Sequence, residues 1–441
     1  MKRVMTMGAM GVALMAMVSC SDNETEIPVQ PGGDGDQVAL GVSPNLKVAA
    51  GTKTTTKAVV DGEAITYEAA NYSDADYAPG LGVLVTNSGA TGWYVPDGSS
   101  YPGHHVWYMG DAAGANWKSI LTKGANFAAT AESPYYLTST VGKVYAYYPY
   151  DATLTGSLTI TQESDLQIPV TILATGTISA NTNNAKKYWT GSAWANTLAA
   201  NKVNLSLAAE KDYLYFDPGT AGRYVNNGRA AGQTPVKPDD EPNNTDATNP
   251  GYKINLTMAH ALSMLSFRVY DGGNLSSNPV NLTKIRIKNS DSSTANPFKM
   301  GNGFMSLVDG TISGVSTNGD IERVITGYTL MRQVDAGGTE SGQTFIAAGT
   351  GNNQISGKTV SKTVSAIIYP TTFTADDDIE VIISLQEGSN PAVDYPVTLP
   401  ANSWEANNNY IYTLSAGRNK LTVVDVSVEA WVDNEQDEIP L

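Results

Sequence analysis

At 441 residues the chain is long enough for two or three domains with real cores, and its one cysteine excludes an intrachain disulfide or a cysteine-based zinc site. Its 27 Lys and Arg against 43 Asp and Glu give a net charge of −16, which argues against a nucleic-acid partner, because phosphate binding rests on Lys and Arg. Only 16% of residues are charged while Gly (42) and Tyr (23) abound, a composition suited to an extracellular all-β protein rather than a helical cytosolic enzyme.

Lys2 and Arg3 precede an apolar run from Met7 to Val18, too short to span a bilayer and of the right length for a signal-peptide core. The run ends at Met17-Val18-Ser19-Cys20, which resembles a bacterial lipobox with Met17 where Leu is commoner. The expectation is a lipoprotein signal over residues 1–19 and lipidation, palmitate included, at Cys20; an ordinary signal peptide with a chance cysteine is the alternative. Removing residues 1–19 would leave 422 residues with net charge −18. Residues 20–36 are acidic and rich in Pro and Gly, so they read as a flexible tether. Their start, Ser21-Asp22-Asn23-Glu24, resembles the stretch that sends lipoproteins to the cell surface in the Bacteroidetes, although a plain solvated linker has the same composition.

From there the periodicity is β almost throughout. Val38, Leu40 and Val42 alternate with other residues as a half-buried strand does. Short strands are expected at Leu81–Thr86, Lys143–Tyr148, Ser157–Gln162 and Lys202–Leu207. Lys253–His260 alternates Ile254, Leu256 and Met258, and Leu265, Phe267, Val269, then Leu282, Ile285, Ile287 continue the pattern. Ile379 to Leu385, Tyr410–Leu414 and the row Val424, Val426, Val428, Ala430, Val432 complete the set. Strands this short, with turn residues between them, predict β-sandwiches and little helix. The rhythm breaks at 226–251, a polar stretch rich in Pro, Asn and Gly, and again at 288–296. The first break reads equally as a domain linker or a long surface loop.

Catalytic motifs are missing. There is no G-x-S-x-G elbow, no G-x-x-x-x-G-K-[ST] loop and no H-E-x-x-H. His104 and His105 are adjacent, so on a strand they point to opposite faces and share no metal. His260 reads as a core or rim residue. The acidic triplets at Asp376 and Asp239 lack the spacing of a calcium loop. No cofactor, no metal and no enzyme activity are expected. Trp93, Trp107 and Tyr108 form a candidate aromatic ligand patch, with packing in a sandwich as the blander reading.

Several segments in order resemble the fimbrillin family of the Bacteroidales, the subunit precursors of type V pili. They are the lipobox and tether, Gly51-Thr52-Lys53 through Lys57-Ala58, Leu81-Gly82-Val83-Leu84-Val85, and Val144-Tyr145-Ala146-Tyr147-Tyr148-Pro149. Asp212-Tyr213-Leu214-Tyr215, His260-Ala261-Leu262-Ser263-Met264-Leu265, and Trp404 with Asn409-Tyr410-Ile411-Tyr412 follow. The resemblance implies two tandem transthyretin-like β-sandwich domains, at 58–292, with the 226–251 stretch as an insertion, and at 293–441. It also implies a propeptide at 37–57 whose first strand, around Gln37–Val42, is removable.

In that family a trypsin-like surface protease cuts after a basic residue, the first strand leaves, and a strand from another subunit fills the groove. Between Arg3 and Arg223 the chain has no arginine, so processing here requires cleavage after a lysine: Lys53 or Lys57, with Lys57 the better fit. The candidate donor is 419–433, with Val424, Val426, Val428, Ala430 and Val432 facing one way; an ordinary last strand of its own sandwich carries the same alternation. The implied partners are other copies or related pilin subunits, the outer membrane through the precursor's lipid, the protease, and surface ligands of host or bacteria. The implied location is the outer membrane and the cell-surface fimbria. A stalk subunit is favoured over a tip adhesin or an anchor. A surface glycan-binding lipoprotein using Trp93, Trp107 or Trp189 is the rival from another class.

Overall fold

A computed structural model describes residues 38–46, 59–60, 63–64, 80–94, 105–110, 117–121, 131–154, 158–179, 188–189, 194–195, 204–207, 210–220, 222–228, 250–272, 275–276, 278–330, 363–418 and 420–430. These residues are β-strands and connecting turns with two single-turn 3-10 helices, and no helix among them is long and apolar enough to cross a membrane. The all-β expectation holds.

The first sheet runs in the order Gly41–Leu46, Lys253–His260, Leu214–Phe216, Gly142–Tyr148, Leu81–Asn87, His105–Gly110, Trp117–Ile120. Its pairs are antiparallel except the outermost, where Gly41–Leu46 lies parallel to Lys253–Met258. Leu81, Val83, Val85, Val144, Ala146, Tyr148, Ile254, Leu256 and Met258 face one core, which Val38, Leu40, Tyr94, Tyr135 and Leu137 close from the other side. The intervening Leu84, Tyr145 and Tyr147 join a second core. The central strands are therefore buried on both faces, which is why Leu81–Val85 is nearly continuously apolar rather than alternating.

The second core lies between two five-stranded sheets. One has the order Thr175–Ser179, Ile321–Thr329, Val280–Asn289, Ile379–Glu387, Val393–Thr398; the other has Asn204–Leu205, Thr363–Ile368, Ser263–Asp271, Asn408–Gly417, Lys420–Ala430. Leu265, Phe267, Val269, Ile285, Ile287, Ile383, Tyr412 and Leu414 fill the space between them. Trp404 anchors one end, its ring nitrogen donating to the Tyr412 hydroxyl at 2.8 Å with Phe298 and Phe373 edge-on to it.

Ser263–Asp271 and Val280–Asn289 belong to the two five-stranded sheets, as do Thr175–Ser179 and Asn204–Leu205, whereas Gln167–Thr171 pairs with Asn302–Ser306 in a separate three-stranded sheet on the same core; the chain thus returns to the first sheet at Leu214–Phe216 and leaves it again at Ala261-Leu262. The 288–296 break is a turn within that second unit, held by Ser290 and Ser293 on Asp378. Of the expected strand Ser157–Gln162, the described residues 158–162 form no strand. Asp165 accepts bonds from the backbone of Thr161 and Gln162 and from both side chains, so the local carboxylate captures amides that a ladder would have used. The 226–251 stretch lies almost wholly outside the described residues.

Candidate functional site

Residues 38–46 serve two sheets in turn. Val38–Ala39 pairs antiparallel with Tyr136–Leu137. At Leu40 the partner changes: the Leu40 amide donates to the Tyr135 carbonyl at 2.7 Å, and the next amide, Gly41, to the Tyr252 carbonyl at 2.9 Å. Gly41–Leu46 then continues along Lys253–Met258. Val38 and Leu40 are buried in the first core, and Val42 packs against it half-buried. Ala39 is buried too but is not part of that core. The crossing point is tight, since a Cβ on Gly41 would lie 3.0 Å from Lys253 Cγ.

This segment is an outer strand, with only one neighbour in its sheet. Its Pro44 has no N–H to give, which an edge position tolerates and a central one does not. Losing the segment would turn Lys253–Met258 into an open edge and uncover Ile254, Leu256 and Met258. A further tie comes from the sheet's far side, where the Tyr108 hydroxyl donates to the Leu40 carbonyl at 2.8 Å. Burial pushes the Tyr108 phenol far above its usual range, so it stays a donor at any ordinary pH. Tyr108→Phe is expected to cost about 1 kcal/mol, rising toward 3 if the carbonyl finds no other donor. Hydrogen exchange should accelerate at Leu40 and Gly41 while the second core's strands stay protected.

The last strand, Lys420–Ala430, is likewise an outer strand, antiparallel to Asn408–Gly417. Its register slips once: Leu414 lies opposite Val423 and Thr413 opposite Asp425, so Val424 is the extra residue of a bulge. Tyr410, Tyr412, Leu414 and Ala416 face the core, and opposite them stand Val428, Val426, Val423 and Leu421. The expected single row from Val424 to Val432 is thus broken within the chain's own sheet. Val424 is 52% exposed, and Leu421 and Val423 take up the row instead. Val428 keeps its register opposite Tyr410 but is 54% exposed. Nothing is described of the Ala430 side chain, and Val432, Cys20, Lys53 and Lys57 lie outside the described residues.

Trp93, Trp107 and Tyr108 do not form one patch. Trp107 and Tyr108 are neighbours on a strand and face opposite ways: Tyr108 enters the first core, while Trp107 stacks on Tyr150, centroids 4.9 Å apart and rings within 4° of parallel. Trp93 packs against the second core. Sequence reasoning missed what lies around Trp107. His105 Nε2 is 2.8 Å from the Tyr147 hydroxyl, and its ring lies 4.9 Å from that of Tyr150. Val106 separates His105 from Trp107, so the two share a face, a spacing legible in the sequence had Tyr147 and Tyr150 been placed beside them.

Burial lowers the His105 pKa to about 4, against a small opposing pull from Asp151. A neutral native histidine with a depressed pKa gives stability that is present above its unfolded pKa near 6.5 and is lost as pH falls toward 4. The loss is of order 3 kcal/mol across that window. Unfolding midpoints between pH 7 and 4 should fall for the native chain and fall less for His105→Gln.

Among the described residues no group of carboxylates, histidines and cysteines is arranged to hold a metal ion. Asp378 and Asp376 accept the Ala375 and Ala401 amides and so brace turns. His260 is fully buried with Nδ1 2.7 Å from the Asp212 carboxylate, at the point where the chain passes from one core to the other. Arg223 is also buried: it donates to the carbonyls of Phe216, Val308 and Val144 and lies over the Tyr145 and Phe216 rings, so it ties the two units together and is no site for a protease.

No curated protein sequence matches the chain. Among solved structures, similarity extends over nearly full lengths at low identity. A candidate cell adhesion protein of Bacteroides uniformis is 14% identical, covering 90% of this chain and 99% of its own, with a TM-score of 0.44. A fimbrial protein of Bacteroides vulgatus is 12% identical over 89% and 99%, with a TM-score of 0.40. The C-terminally truncated tip fimbrial protein Mfa3 of Porphyromonas gingivalis is 12% identical over 82% and 97%, with a TM-score of 0.34. One family model matches the C-terminal part of the sequence, a span that begins shortly before the strand Lys253–His260 and ends just after Lys420–Ala430. Residues 241–431 match the family model described as fimbrillin-like, a span that includes the segments from His260 to Tyr412.

Proposed function

We propose that the chain is a structural subunit of a cell-surface fimbria, exported as a lipoprotein through Cys20 and assembled by strand exchange after cleavage at Lys57 or Lys53. The observation that carries the reading is the placement of residues 38–46. They complete a core yet hold a sheet edge, with a proline in the ladder, so their departure opens that core while breaking strand pairing only with Lys253–Met258 and Tyr136–Leu137. The fimbrillin-like span supports the fimbrial role. A vacated edge with apolar pockets is the kind of surface that takes up an extended segment of another chain. Position in the stalk follows from the chain offering both a releasable first strand and an outer last strand.

Limited digestion of the chain from Ser21 with a lysine-specific protease tests the proposal. Cleavage at Lys53 or Lys57 followed by SDS-resistant ladders supports a stalk subunit. Cleavage that leaves a monomer overturns the stalk assignment, and resistance at both lysines overturns processing altogether.

A further inference from the structure

The strand beside the first one is held unevenly along its length. Lys253–Met258 pairs with Gly41–Leu46 on one side, but its other neighbour, Leu214–Phe216, meets only Met258, Ala259 and His260. Next to those three, the Thr257 carbonyl accepts the Asp217 amide at 2.9 Å, and among the described residues no other strand pairs with Lys253–Leu256. Once Gly41–Leu46 leaves, that stretch has an open edge on both sides, and the strand hangs from its His260 end.

That end is fastened from two other parts of the chain. The His260 ring and the Asp212 carboxylate are fully buried, with Nδ1 2.7 Å from the nearer oxygen. The His260 amide donates to the Asn407 side-chain oxygen at 3.3 Å, the Ala261 amide to the Tyr213 carbonyl at 2.9 Å, and the Asn407 amide to the Leu262 carbonyl at 3.0 Å. The Ser263 hydroxyl donates to the Glu405 carbonyl at 2.7 Å. Asn407 itself turns at φ +64°, a left-handed conformation that asparagine adopts more readily than most residues. Asp212 stands just before Leu214–Phe216 and Asn407 just before Asn408–Gly417, so a strand of the first sheet and a strand on the second core meet at this point. None of these contacts uses residues 38–46.

We propose that His260 and Asp212 form a pin that keeps Lys253–His260 seated at its inner end while the first strand is away. This rests on the strand-exchange reading above and concerns the interval between the departure of one strand and the arrival of another. Pulling the pair apart would leave each group buried without its partner, so the pair opposes peeling that starts at the open Lys253 end. Without the pin, only a fraction of open subunits present the edge in its proper place. Capture of an incoming strand weakens by that fraction, about tenfold where one subunit in about ten is competent.

Residue-resolved hydrogen exchange on the uncleaved chain from Ser21, in urea well below the unfolding midpoint, tests this. The Leu40 and Gly41 amides report departure of the first strand, the Ala261 and Asn407 amides report the pinned end, and Ile379–Glu387 reports global unfolding. Leu40 and Gly41 should exchange first, with Ala261 and Asn407 slower by about tenfold or more. In Asp212→Leu these two should join Leu40 and Gly41 while Ile379–Glu387 stays slow; Asp212→Asn, of the same shape without the charge, is run alongside with the same expectation. A variant that speeds all four amides by one common factor, keeping the gap, reveals a merely stabilising pair and overturns the pin. So does an unsubstituted chain in which Ala261 and Asn407 already exchange together with Leu40 and Gly41, a result that needs no variant to fold. If Leu40 and Gly41 exchange only with Ile379–Glu387, the first strand does not leave by itself, which overturns the strand-exchange reading and the pin with it.

Discussion

A chain lacking residues 21–46 should lose the first core and keep the second. Val38 and Leu40 are nearly fully buried, and full burial of such a side chain contributes roughly 1.5–3 kcal/mol, so these two alone account for about 3–6 kcal/mol. The ladder to Lys253–Met258, the Leu40 and Gly41 amide bonds and the Tyr108 hydroxyl bond go with them. Against a typical stability of about 5–15 kcal/mol, a loss of this size leaves the first unit open or aggregated. Hydrogen exchange should lose protection at 135–137 and 252–258 while Ile379–Glu387 stays slow. A synthetic peptide of residues 37–48 added in trans should restore protection, because the edge is rebuilt from one side only. A truncated chain as protected at 252–258 as the intact one would show that the segment is not part of the core's stability.

Arg323→Ala should be the most damaging single change in the second unit. The Arg323 guanidinium is buried against the Glu210 carboxylate and also donates to the carbonyls of Leu173, Ala174 and Glu322. Glu210 in turn accepts the Ile367 amide at 3.1 Å and that of Leu207 at 3.4 Å. One ion pair therefore fastens the connections near 173 and 207 to strands in both sheets. Removing one partner of a buried pair strands the other's charge, which costs about 3–5 kcal/mol. Replacing both, as Arg323→Met with Glu210→Leu, removes the stranded charge and should recover part of that loss. Urea unfolding of the two singles and the double gives the coupling directly, and additive singles would mean that the pair does not act as a unit.

Much of the fold was legible in alternation. Lys253–His260, Ile379–Glu387 and the buried tyrosines of Gly142–Tyr148 stand where their apolar spacing puts them. What alternation cannot carry is partnership. Ser263–Asp271 looks the same in sequence whether it pairs with the first sheet or the second, and the deciding contacts, with Thr363–Ile368 and Asn408–Gly417, are about 100 and 150 residues away. The bulge at Val424 was hidden for a related reason, since an extra residue shows only against the strand opposite. Trp107 and Tyr108 were grouped because they are adjacent in the chain, although adjacency on a strand separates side chains by the sheet's thickness. The first strand was found, but not its change of sheets at Leu40, which depends on the far-off carbonyls of Tyr135 and Tyr252.

The turn at Ala261-Leu262 has a mechanical consequence. In a fibre linked as proposed, tension enters a subunit along Lys253–His260, passes through two residues into Ser263–Asp271, crosses to Asn408–Gly417 and leaves by Lys420–Ala430. Every step of that route runs along strands whose hydrogen bonds lie across the direction of pull. Such bonds are loaded together, not opened one at a time from an end. The subunit would then resist as a shear joint, and its weakest link would be where the fewest cross-bonds share the load.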